Sequence, residues 1–236
     1  MKLSNELLLE IKQNKIISKD KVFDILKKFY LSMNRAYFYR VLSMLVKENH
    51  LYKLDSNTYT TIEKQIFNYE LTNKKLPKYV GVYGEFAIWD SNILNKWLNH
   101  LLNAVITFVE VDRSMMSLVY EELKARGYNH ILFNPNLNEF NKYFDSKLII
   151  IRPLAKTFIE PEHKISIERL IIQIYSDKIL LSLYGNGEMN DMLNEIFKTY
   201  YVNLDKLYHY ARRKKIYNEL HDYLVNNINS NYLYHD

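Results

Sequence analysis

Apolar residues recur at helical spacing through the first fifty positions of the chain, then give way to short strand-like clusters. Leu7, Leu8 and Ile11 form an apolar stripe that predicts a first helix running to about Lys15. Val22, Ile25, Leu26 and Phe29 predict a second helix, and Ser18 stands where an N-cap side chain accepts from the open amides of the first turn. After the break Tyr30–Met33, the residues Phe38, Val41, Leu42 and Leu45 share one side of a third helix. That helix is expected to end near Asn49, a residue type tolerated in the left-handed conformation. Leu51–Leu54 and Thr58–Thr60 bracket the turn Asp55-Ser56-Asn57, which predicts a hairpin. Three helices followed by a hairpin predict a winged helix-turn-helix over residues 1–64.

The pattern changes between Thr61 and Val80. The polar stretch Asn73–Lys78 contains Pro77, so residues 65–80 read as a linker and 81–236 as a second domain. Within it, Ser91 is expected to cap a helix through Trp97 and Leu101. Ile106–Val111, His130–Phe133 and Leu148–Arg152 read as strands, the last ended by Pro153. Asp112 is placed to cap a helix from Met115 to Arg126 that Gly127 stops, and Ser166 to cap one carrying Ile167, Leu170, Ile171 and Ile174. Met189, Met192, Leu193, Ile196 and Phe197 mark a helix after Gly185-Asn186-Gly187. One long final helix is expected to carry Leu204, Leu207, Tyr208, Ala211, Leu220 and Leu224. The expected fold class is α+β: an N-terminal winged helix-turn-helix followed by a mixed α/β domain ending in helices. With 236 residues, 48% of them hydrophobic, the chain has material for two modest cores.

Charge sharpens this division. Residues 1–64 hold twelve Lys and Arg against seven Asp and Glu, which equals the formal net charge of +5 of the whole chain. An excess confined to one small domain points to a polyanion there, and the predicted fold makes duplex DNA the expected partner. On the third helix Arg35, Tyr39, Ser43 and Lys47 follow a four-residue ladder opposite the apolar side, with Arg40 beside it, and Lys53 lies on the hairpin. The third helix of such a domain enters the major groove. Arg there pairs with guanine, while Ser, Tyr and Lys suit phosphate oxygens. The chain has no Cys, which excludes disulfides and thiolate metal sites. No apolar run approaches the ~20 residues that span a bilayer, and Met1-Lys-Leu-Ser-Asn-Glu6 is no signal peptide, so a cytoplasmic protein without membrane contact is expected.

Catalytic signals are sparse. Glu110 and Asp112 alternate onto one face of a strand end, where paired carboxylates can hold Mg²⁺. The supporting parts of a nucleotidyltransferase or nuclease do not accompany them. The reading adopted is that Asp112 caps the next helix and Glu110 pairs with a base. The alternative is a metal-dependent nucleic-acid enzyme whose winged helix delivers substrate. The seven His form no pair at metal-binding spacing, and no Gly-x-Ser-x-Gly elbow or phosphate-binding loop occurs, so no catalytic residue, metal or cofactor is expected. The run Arg212-Arg213-Lys214-Lys215 is expected mid-helix, as a solvated face or a second phosphate contact.

Several segments, in order, resemble the AbiEi-type antitoxins of bacterial abortive-infection (type IV) toxin–antitoxin systems. They are Phe86-Ala-Ile-Trp89-Asp-Ser91-Asn-Ile-Leu94-Asn95 with His100 downstream, Phe108-Val-Glu110-Val111 and Leu148-Ile-Ile-Ile-Arg152. Ser166-Ile-Glu168-Arg169-Leu170-Ile171 and Tyr210-Ala-Arg212-Arg213 follow. One departure is Ile172-Gln173-Ile174, where the family often has an acidic residue. The resemblance implies a transcriptional autorepressor that binds its own promoter, with inverted repeats as the expected operator. It also implies a functional partner, an AbiEii-type nucleotidyltransferase toxin, opposed without a stable complex. Glu110, Glu168, Arg169, Arg212 and Arg213 coincide with the resembling segments and are the expected charged antitoxin surface.

Overall fold

Two separate sheets organise this α+β chain, in a computed structural model that describes residues 3–30, 32–155, 163–229 and 232–233. The chain divides into two units: Met1–Ile66 together with Asn194–Asp236, and Phe67–Leu193. The expected segment 81–236 is therefore split, because its last 43 residues belong with the first unit. No described helix is long and apolar enough to cross a membrane.

In the first unit, helices α1 (Asn5–Lys12), α2 (Lys19–Phe29) and α3 (Arg35–Lys47) surround a small antiparallel sheet of order β1-β3-β2. Strand β1 (Ile16–Ser18) pairs with β3 (Thr58–Thr60), which also pairs with β2 (Tyr52–Lys53). The helices start on side-chain caps: Ser4, Ser18 and Asn34 accept from the amides of Leu7, Lys21 and Tyr37. Asn49, at φ 58°, ends α3 as its residue type predicts. The first helix stops at Lys12 and not Lys15, because Ile16–Ser18 instead extends to pair with β3. Leu7, Ile11, Ile17, Val22, Leu26, Phe38, Val41 and Leu45 form a common core. Each such side chain contributes roughly 1.5–3 kcal/mol on burial, so packing and not propensity holds these short helices.

The returning segment completes this unit. Gln65 forms a parallel bridge with Tyr200, its amide donating to the Thr199 carbonyl at 2.9 Å and its carbonyl accepting from the Tyr201 amide at 2.9 Å. The Lys64 ammonium, 6% exposed, donates to the Phe197 carbonyl at 2.6 Å. Helices α10 (Leu204–Lys214) and α11 (Tyr217–Asn227) then close the chain. The expected single long helix is two, because Lys215 turns left-handed (φ 60°) and the amides of Lys215 and Ile216 cap the carbonyls of Arg212 and Ala211.

The second unit carries a four-stranded mixed sheet of order β4-β5-β7-β6. Strand β4 (Phe86–Asp90) runs antiparallel to β5 (Thr107–Val111), whereas β7 (Ile149–Pro153) is parallel to both β5 and β6 (Ile131–Phe133). One face packs on α4 (Leu76–Val80) and α5 (Met116–Ala125), burying Leu76, Ile88, Val109, Val119, Leu123 and Ile151. Helices α6 (Leu137–Lys142), α7 (Ile167–Ser176), α8 (Lys178–Leu181) and α9 (Asn186–Thr199) complete the order of elements. Asn73–Lys78 is structure and not linker: Leu76 is buried, and Pro77 sits in the first turn of α4, where its missing amide leaves no helical bond unmade. Ser91 does not cap a helix through Leu101. Its hydroxyl accepts from the Ile106 amide at 3.0 Å and donates to the Ala104 carbonyl at 3.3 Å, and a 3₁₀ turn, Ser91–Lys96, follows.

Candidate functional site

Helix α3 buries Phe38, Val41, Leu42 and Leu45, and this fixes which way its other residues point. Arg35, Tyr39, Arg40, Ser43 and Lys47 are all exposed, Tyr39 at 55%. The helix contains no acidic residue. Lys53 is exposed on β2, next to a turn held by the Asp55 carboxylate, which accepts from the amides of Asn57 and Thr58 at 2.7 Å each. Among the described residues no carboxylate pairs with Arg35, Arg40, Lys47 or Lys53, so their charge is directed at solvent. Residues 1–66 with 194–236 hold eighteen Lys and Arg against twelve Asp and Glu, a net +6. Residues 67–193 hold fourteen against fifteen, a net −1, so the structural division separates charge more sharply than the expected boundary.

The run Arg212-Arg213-Lys214-Lys215 is exposed and closes α10, instead of lying mid-helix. Cations there favour the negative end of the helix dipole, and the Arg212 guanidinium lies 4.4 Å from the centre of the Tyr217 ring. The amide of Leu204, at the other end of α10, donates to the Leu54 carbonyl at 2.7 Å, so this helix starts beside the β2–β3 hairpin.

The three remaining residues expected on a charged surface are internal. Glu110, Glu168 and Arg169 are 2%, 5% and 1% exposed. Glu110 lies in β5 between Ala87 of β4 and Arg152 of β7, on the sheet face away from α4 and α5. One carboxylate oxygen accepts from the Trp89 indole at 3.1 Å and from Arg152 at 2.8 and 3.0 Å; the other pairs with Arg169. Arg152 also donates to Asp177 at 2.5 Å and lies over the Phe108 ring at 4.4 Å. Burial lowers the Arg152 pKa and Asp177 opposes that shift, leaving a guanidinium that stays charged. Two guanidinium and two carboxylate groups thus meet in one network inside the unit. A buried side chain cannot meet a partner, so Glu110, Glu168 and Arg169 are corrected from surface to core.

Glu110 and Asp112 each have other partners. The former is engaged by both arginines and Trp89, while the latter accepts from the Ser114 amide at 3.0 Å and hydroxyl at 2.7 Å, capping the turn that leads into α5. Both contacts match the adopted reading of this pair. Sequence reasoning did not find Trp89, Arg152 and Asp177 as the network's other members. The available signal was a charged residue at strand spacing in each of two apolar runs, Phe108–Val111 and Leu148–Arg152.

Residues 37–230 match the family of unknown function DUF6577, and the chain belongs to it. No curated protein matches the chain.

Proposed function

We propose that this DUF6577 member is a DNA-binding transcriptional autorepressor that reads duplex DNA through α3. The observation that carries the reading is the acid-free, exposed face of α3, with Arg35, Tyr39, Arg40, Ser43 and Lys47 directed away from the core. The order helix, strand, helix, helix, hairpin and the β1-β3-β2 sheet support a winged helix-turn-helix. In that arrangement the first turns of α3 approach base edges, where Arg35 and Arg40 fit guanine, and Tyr39, Ser43, Lys47 and Lys53 fit phosphates. The resemblance to AbiEi-type antitoxins adds the autorepressor role and opposition to a nucleotidyltransferase toxin. With Glu110, Glu168 and Arg169 internal, Arg212 and Arg213 are the charged residues left to serve that role at a surface.

Titration of the full chain against the duplex upstream of its own gene, across a salt series, tests the DNA reading. Neutralising about five phosphates predicts a loss of several hundred-fold in affinity between roughly 50 and 200 mM salt. Absence of binding, or binding indifferent to salt, overturns it. Co-expression with an adjacent nucleotidyltransferase gene tests the antitoxin role: the full chain restores growth, and failure to do so removes that role while leaving DNA binding untouched.

A further inference from the structure

A cleft of about 660 Å³ opens within the second unit, a volume in the ~300–1,000 Å³ range of small-molecule sites. Its floor is Leu76, Val105 and Ile149, with Thr107 beside Ile149 in the β5–β7 register. Its rim carries three cations from two separate segments, Lys74 and Lys75 ahead of α4 and Lys147 ahead of β7. Among the described residues no Asp or Glu lines it, although the unit as a whole is net negative. Lys74 is paired with Glu70 at 2.5 Å; among the described residues no carboxylate pairs with Lys75 or Lys147.

Two further features mark the cleft as built for a ligand. Thr107 is only 7% exposed and lines the cleft. The rim is also fixed in advance. The Thr72 amide donates to Asp90 at 2.8 Å, and the Asn73 side-chain amide donates to the Tyr128 hydroxyl at 3.0 Å, tying two sides of the cleft together. The Tyr128 oxygen accepts in that bond, so its own proton remains available to donate.

We propose that this cleft binds a phosphorylated small molecule of mononucleotide size. Lys75 and Lys147 hold the phosphate, the Thr107 and Tyr128 hydroxyls bond its polar atoms, and the body lies on Leu76, Val105 and Ile149. Lysine ammonium groups act as point charges that gather around a multiply charged tetrahedral anion.

The test is calorimetric titration of the full chain with inorganic phosphate, ribose 5-phosphate, adenosine 5′-monophosphate and uncharged adenosine. Saturable binding of at least one phosphorylated probe below about 1 mM is expected, with adenosine at least tenfold weaker than its monophosphate. The exposed double variant Lys75→Gln/Lys147→Gln should lose tenfold or more for that probe, and the near-isosteric Thr107→Val about fivefold, with circular dichroism unchanged. No saturable binding of any phosphorylated probe overturns the proposal. So does adenosine binding as tightly as its monophosphate, or a folded double variant that binds like the parent.

Discussion

Arg35 and Arg40 in the first unit and Arg152 and Arg169 in the second carry the same guanidinium group, yet they are set in opposite surroundings. The first pair is exposed on a helix with no acidic residue, in a unit of net charge +6. The second pair converges on Glu110, with Asp177 the second carboxylate on Arg152. An outward charge projects an unbalanced field and acts on whatever approaches. An inward charge is cancelled within a few ångströms and acts on the fold. Residue type alone therefore says little about role; the direction imposed by neighbouring apolar positions says most of it.

The largest test of this contrast is Glu110→Ala, which removes the carboxylate shared by two buried guanidinium groups and should lower unfolding stability by about 3–5 kcal/mol. Urea unfolding of the full chain measures this, and duplex affinity per folded molecule should not change. A cost below about 1 kcal/mol would show that the network is not what holds the α7 side of the sheet. Next, Arg35→Ala or Arg40→Ala should leave stability intact and weaken operator binding by roughly 1–3 kcal/mol, with relaxed sequence preference. Equal losses on operator and scrambled duplex would reduce either arginine to a backbone contact.

Lys64 crosses the contrast, being a buried cation in the outward-charged unit. Burial pulls its ammonium pKa down to about 8. Between that value and the ordinary lysine pKa, the unfolded chain holds a proton that the folded chain has released. Stability therefore rises with pH, by roughly 2 kcal/mol from pH 8 to 10, and Lys64→Met should flatten that rise. Above pH 10 the sign reverses for Tyr208, whose hydroxyl is pushed up to about 12 by burial, because the folded chain keeps a proton that the unfolded one loses. The smallest effect is expected for Lys53→Ala: a uniform loss of a few-fold on all duplexes and a salt slope shallower by about one contact, read from the same salt series.

Local signals in the sequence transferred well to the structure. Ser18 and Ser166 cap their helices, Gly127 turns left-handed after α5 at φ 86°, and Phe38, Val41, Leu42 and Leu45 face inward as spaced. What escaped depends on distant partners. Ile16–Ser18 is too short to announce itself as a strand until Thr58–Thr60 pairs with it. Phe86–Asp90 has no alternation, because all five residues are buried. Glu110 reads as surface until Arg152, 42 positions later, meets it. At Lys215 a residue with no marked left-handed preference breaks what periodicity alone continues as one helix.

The return of residues 194–236 to the first unit sets an order for the birth of the molecule. Phe67–Leu193 is one unbroken stretch, so it can fold as it leaves the ribosome. The first sixty-six residues emerge earlier and finish later, because the carbonyl that receives Lys64, the bridge to Gln65 and the helix beside the hairpin all come from the final fifth of the chain. A chain cut short before that segment would lack the parts that close its first unit. α3 stands on a finished body only once residues 194–236 have been made.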